Sequence, residues 1–211
     1  EVSIDRMLGY PERNKDGNLI PTVDRDLIIS EANTLLPISA LPEGIDAVVE
    51  QIISSHPLVY GAGELNAIGQ ICVPLINKNS EPSDLSVDVV HSIHNKYFDA
   101  LNNLRIKEKV ITDKAPLNFR FIGHILSAFP EAKIVHLKRD PIAICWSIYK
   151  SNWSGLGNSF SYNMDDLVNY YGLYDDLMKF WHKKFPGQIY DISYEKLTIN
   201  QESESKKLLK Y

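Results

Sequence analysis

Short apolar runs alternate with stretches of helical period along this chain, most clearly between Val110 and Ser151. Val110-Ile111-Thr112-Asp113 is apolar and β-branched, which predicts a buried strand. Lys114-Ala115-Pro116 breaks it, and Asn118 can cap a helix carrying Phe119, Ile122, Ile125, Leu126 and Phe129 at close to helical spacing. Pro130 ends that helix. Lys133 to Leu137 predicts a second strand, followed by Lys138-Arg139-Asp140-Pro141. Pro141 suits the first turn of a further helix, with Ile142, Cys145, Trp146 and Tyr149 on one face. Two short apolar strands joined through a helix make a βαβ unit and hence a parallel sheet.

The same pattern extends on both sides. Thr34 to Leu41 predicts a core strand, with Pro37 best placed at its start. Asp46 can cap a helix bearing Val48, Val49, Ile52 and Ile53, which His56-Pro57 closes. Leu58-Val59-Tyr60 extends, then Gly61-Ala62-Gly63-Glu64-Leu65 turns. Residues 66–109 read as a mainly helical insertion, including a helix from Val87 to Leu104. Asp165 to Lys184 is a long helix with an inward stripe of Leu167, Tyr170, Tyr171, Tyr174, Leu177, Met178 and Trp181, better suited to packing than to binding. Gln188 to Ser193 is another strand, and Gln201 to Tyr211 opens a last helix. Residues 1–33, rich in turn chemistry, are expected to form an arm. The domain is expected to span 34–211, an α/β fold with a mainly parallel central sheet and helices on both faces.

Composition changes this picture little. Hydrophobic residues make up 44% of the 211 positions and charged residues 23%, ordinary for a globular domain. A formal net charge of −5 offers no bulk attraction to nucleic acid or an anionic membrane, so anion binding has to be local. Cys72 and Cys145 form neither a disulfide framework nor a metal spacing, and Cys145, on the apolar stripe, is expected in the core. His91 and His94 stand three apart but lack companion ligands; a solvated helix face is expected there, and no metal set is read. No apolar run approaches a membrane span and no signal peptide is visible, so the expected compartment is the cytoplasm. A chain running from Glu1 to Tyr211 is expected to be a fragment. Asn152-Trp153-Ser154 fits a glycosylation triplet of the kind common by chance.

Ligands of open α/β sheets sit beyond the carboxyl ends of the strands. Lys114 and Arg139 each follow a strand, so both are expected to face one crevice suited to an anion. Arg139 offers a planar fork of donors, and Ser147 a hydroxyl two turns into the following helix. Each residue also has a plainer reading: an Arg139–Asp140 ion pair, surface charge for Lys114, and a solvated turn carboxylate for Glu64.

Four blocks, SSHPLVYGAGEL at 54–65, ITDKAPLNFRFIG at 111–123, FPEAKIVHLKRDPIAICWS at 129–147 and YDISYEKL at 190–197, occur in an order that resembles the sulfotransferase family. The resemblance is to its bacterial protein-sulfotransferase-like branch, related to the tyrosylprotein sulfotransferases. It implies a P-loop-like sulfotransferase fold and transfer of a sulfuryl group from 3′-phosphoadenosine-5′-phosphosulfate to a hydroxyl acceptor, protein tyrosine among them. By the same resemblance Glu64 is the catalytic base and Lys114 lies near the transferred group. Arg139 and Ser147 hold the 3′-phosphate, Tyr194 lies near the nucleotide, and Gly44 belongs to the 5′-phosphate loop. The family chemistry implies no metal. The partners implied are the donor and a protein or small-molecule hydroxyl.

The 5′-phosphate loop departs from the family pattern of Pro-Arg-Ser-Gly-Thr-Thr. Glu43 stands at the arginine, Ile45 at the glycine and Asp46 at a threonine. A helix N-terminus favours anions, and two carboxylates oppose that by on the order of 1 kcal/mol or more. The family also continues past Tyr211 with a segment completing its sites. These departures imply weak donor binding and an alternative, a catalytically impaired binding protein on the same scaffold. A P-loop nucleotide hydrolase is a third reading, discounted because no Gly-x-x-x-x-Gly-Lys-Ser/Thr run exists.

Overall fold

A computed structural model of the chain describes residues 34–39, 45–78, 86–104, 106–151 and 156–211. The expected arm at 1–33, Gly44 with Pro42 and Glu43, the Asp46 cap and the 152–154 triplet lie outside the described features.

Among the described residues, five strands form one parallel sheet: β1 (Thr34–Ser39), β2 (Val59–Gly61), β3 (Val110–Lys114), β4 (Ile134–Lys138) and β5 (Ile189–Ser193), in the order β2-β3-β1-β4-β5. The Val110-to-Ser151 βαβ unit is therefore parallel, with β1 inserted between its two strands. Pro37 sits inside β1 rather than at its start. Pairing to β4 is confined to Ile38 and Ser39, just past Pro37, whose ring nitrogen has no hydrogen to donate.

Side chains alternate across the sheet, as the pleat requires. Val135, Leu137 and Ile192 point to one face, where they pack with Val49 and Ile53 of α1 (Ile45–Ser54), Leu197 of α7 (Tyr194–Ile199) and Leu208 of α8 (Gln201–Leu208). Ile111, Ile134 and Ile189 point to the other. There they meet α2 (Ala67–Lys78), α3 (Val87–Asn102), α4 (Ile122–Ala128) and α6 (Met164–Lys184), represented in the core by Ile68, Ile93, Ile125 and Trp181. This is the α/β arrangement with helices on both faces. Among the described residues, no helix is long and apolar enough to cross a membrane.

Four local expectations are corrected. Asn118 caps no helix; it lies buried within a 3₁₀ turn (Pro116–Phe121) that precedes α4, because Pro116 starts a tighter helix there. The apolar stripe of α5 (Pro141–Lys150) faces outward, with Ile142 79% and Trp146 56% exposed, while Ile144 and Ile148 turn inward onto Leu167 of α6. Cys145 is only half-buried for the same reason. His94 does not sit on a solvated face: its ring packs 4.7 Å from Phe98 and 5.2 Å from Phe129.

Candidate functional site

All five strands being parallel, their carboxyl ends line one edge of the sheet. At this edge β2 runs into the Gly-Ala-Gly-Glu turn and β3 ends at Lys114. The two glycines serve different needs. A β-carbon on Gly61 would stand 3.1 Å from the side chain of Ser54, so α1 and β2 approach closely only without one. Gly63 has φ +64°, the left-handed conformation that side chains resist. The turn is bonded to β3 by Ala62 N–H to Thr112 O at 3.0 Å and by Lys114 N–H to Gly63 O at 2.7 Å. It delivers Glu64 to Lys114, whose Nζ lies 2.5 Å from Glu64 Oε1. The lysine side chain is 12% exposed and the glutamate 43%, so the pair is open to solvent on the carboxylate side.

Arg139 follows β4 at the same edge. Its guanidinium carbon lies 5.1 Å from the ring centre of Tyr194, the first residue of α7 after β5, a cation–π contact. Asp140 Oδ1 accepts from Ala143 N–H at 2.8 Å, capping α5, while its own N–H donates to Glu195 Oε1 at 2.8 Å. Arg139 is thus held between two strand ends, and Asp140 serves as a helix cap instead of its ion-pair partner.

Lys114 and Arg139 share the edge without touching. Lys114 is level with Ile38 of β1, and Ile38 with Val135 of β4, so Arg139 lies four residues farther along its strand direction. Two strand spacings, about 10 Å, separate β3 from β4 laterally. Ser147 is half-buried on α5, beside the inward Ile144 and Ile148; its carbonyl accepts from Ser151 Oγ at 2.7 Å, and no contact joins its hydroxyl to Arg139 among the described residues. The two cations therefore stand at the carboxyl ends of β3 and β4, one on each side of β1.

Residues 47–211 match the profile of the Sulfotransferase family. The chain belongs to the sulfotransferase family. It is 34% identical over 185 residues to an uncharacterized protein of Aquifex aeolicus (strain VF5), a match covering 81% of this chain and 24% of that relative's length. Among solved structures, it is similar to the sulfotransferase domain from the curacin biosynthetic pathway, with TM-score 0.58 and 14% identity over 84% of this chain and 72% of the other. A sulfotransferase from Alicyclobacillus acidocaldarius gives TM-score 0.55 and 16% identity over 84% and 79%. A sulfotransferase from Mycobacterium tuberculosis H37Rv gives 0.57 and 12% over 88% and 68%. At such identities these structures establish the fold alone.

In this sulfotransferase-family chain, the edge also uses residues that sequence reasoning passed over. Glu50 of α1 accepts from Gly63 N–H at 2.9 Å and from Thr112 Oγ1 at 2.7 Å, tying helix, turn and strand together beneath Glu64. On the other face of β3, Asp113 Oδ2 accepts from the Tyr97 hydroxyl at 2.9 Å. Burial raises the Asp113 carboxyl to about 6, against the lowering effect of Tyr97, the Leu65 N–H and Asn118; the Glu50 charge adds to the rise. Burial, with the Asp113 charge and hydrogen bond, also raises Tyr97 well above the ordinary phenol value, so its hydroxyl stays a donor. A polar residue inside an otherwise apolar strand was the available signal: once buried, it needs a partner.

Proposed function

We propose that this chain transfers a sulfuryl group from 3′-phosphoadenosine-5′-phosphosulfate to a hydroxyl acceptor, a phenol such as protein tyrosine being the class the tyrosylprotein-related branch suggests. The observation carrying this reading is the 2.5 Å Lys114–Glu64 contact, a cation and a carboxylate from different loops meeting at the carboxyl edge of the sheet. Support comes also from the donor set: an ammonium and a guanidinium at the same edge of the sheet suit a nucleotide with anionic groups on both its 3′ and 5′ sides.

The acceptor oxygen attacks sulfur as the bond from sulfur to the phosphate oxygen breaks, releasing adenosine 3′,5′-bisphosphate. A free phenol has a pKa near ~10, so its proton has to leave as the new bond forms; the exposed side of Glu64 is where a hydroxyl can deliver it. Lys114 faces the charge growing on the departing phosphate oxygen, and Arg139 with Ser147 holds the 3′-phosphate. Glu50 keeps the Gly63 turn in the shape that presents Glu64.

One sequence feature favours a second reading, a donor-binding protein with little turnover: Glu43 and Asp46 stand where the family carries an arginine and a threonine. Transfer of labelled sulfate to a tyrosine peptide decides between them. The proposal expects measurable turnover, and a loss of about 10²-fold or more in kcat for Glu64→Gln. Donor binding without turnover supports the second reading. A Glu64→Gln rate equal to wild type removes Glu64 as base.

A further inference from the structure

Two imidazoles and a carboxylate converge on the α6-facing side of β4 and β5, away from the Lys114–Glu64 pair. His136 and Asp191 are register partners on adjacent strands, so their side chains leave the sheet side by side. His182 comes down on them from the last turn of α6. One ligand atom from each of the three lies within 4.8 Å of the others. Asp191 Oδ1 stands 2.8 Å from His136 Nδ1 and 3.0 Å from His182 Nε2. Ligands about 2.0–2.1 Å from a tetrahedral ion stand about 3.3 Å apart, so the two contacts to Asp191 Oδ1 need only open by a few tenths of an ångström, while the two imidazole nitrogens, within 4.8 Å of each other, draw together onto the ion.

The surroundings fit such a site. His136 is 2% exposed, and its other ring nitrogen, Nε2, contacts the Tyr174 hydroxyl. That is the outer contact that holds a metal-bound imidazole in one tautomer and orientation. A pocket lined by His136, Lys138, Arg139, Tyr174, Lys179 and His182 opens beside the cluster and gives room for a water as fourth ligand. Lys138 Nζ lies 3.4 Å from Asp191 Oδ2, which leaves Oδ1 for an ion.

We propose that His136, His182 and Asp191 form a binding site for a first-row divalent ion of the Zn²⁺ class, clasping the carboxyl end of α6 to β4 and the edge strand β5. Two imidazole nitrogens favour zinc, cobalt or copper over magnesium and calcium. The site goes beyond the transfer reading and stands without it. The charges of Lys138, Arg139 and Lys179 around the pocket oppose a cation, so affinity is moderate and rises when the nearest of them to Asp191, Lys138, is neutralised.

Titration of the full chain with Co²⁺, followed by visible ligand-field absorption, tests the proposal. One equivalent should bind at micromolar concentration, be displaced by Zn²⁺ and raise the thermal midpoint. His182→Ala and Asp191→Asn should each weaken binding about ten-fold or more, and Lys138→Met should tighten it. His182 lies partly exposed, so its variant carries the test alone if Asp191→Asn fails to fold. Absence of a ligand-field band, or an affinity unchanged by His182→Ala, overturns the proposal.

Discussion

Asp113 and Lys114 are consecutive, yet they end β3 with opposite fates: one carboxyl buried against Tyr97, one ammonium reaching Glu64. The buried carboxyl carries a cost that depends on pH. Its folded value is about 6, against an ordinary 3.8. Well below pH 3.8 both folded and unfolded chains hold the proton, and there is no penalty. As pH rises through the window from 3.8 to about 6, the unfolded chain releases its proton first, so the fold loses stability, on the order of 2–3 kcal/mol in all. Asn cannot ionise and still accepts from Tyr97. Asp113→Asn is therefore expected to gain stability relative to wild type between pH 4 and 6, and to keep that gain at pH 7. Denaturant midpoints measured across this range check it; parallel curves would refute it. The Lys114–Glu64 pair spans 50 positions of sequence, so no spacing rule connects its members. Resemblance singled out Glu64, and the fold brought it to Lys114.

At the scale of elements, α4 and α6 touch where Gly123 lies under Trp181. A β-carbon there would stand 2.9 Å from the indole. Trp181 cannot swing away without losing the bond from its Nε1–H to Phe119 O at 2.9 Å. Helix propensity favours Ala over Gly by up to about 1 kcal/mol, while overpacking costs about 1–3 kcal/mol. Gly123→Ala is thus expected to destabilise the protein by about 1–2 kcal/mol, read as a lower urea midpoint with an unchanged slope. Element type followed closely from hydrophobic period: β3, β4, β5 and α6 lie where alternation and helical spacing put them. Orientation was harder. Ile142, Trp146 and Tyr149 form the more apolar stripe of α5, but Ile144 and Ile148 are the residues that fit against Leu167. Periodicity identifies a stripe; packing decides which stripe is buried.

For the whole molecule, parallel topology follows from the βαβ reading, whereas the insertion of β1 between β3 and β4 is a long-range choice that local pattern does not encode. That insertion sets Lys114 and Arg139 apart, one on each side of β1. The His136–His182–Asp191 cluster comes from the pairing of β4 with β5 beneath α6, a grouping hidden in sequence because its members lie 55 and 9 positions apart. On the proposed function this edge holds a nucleotide bisphosphate, with Arg139 as a principal anion contact. Calorimetry with adenosine 3′,5′-bisphosphate tests it most directly. Wild type should bind in roughly the ten-to-hundred-micromolar range, and Arg139→Ala should lose about ten-fold or more, the worth of a charge-assisted bond. Arg139→Ala binding as tightly as wild type would contradict the account.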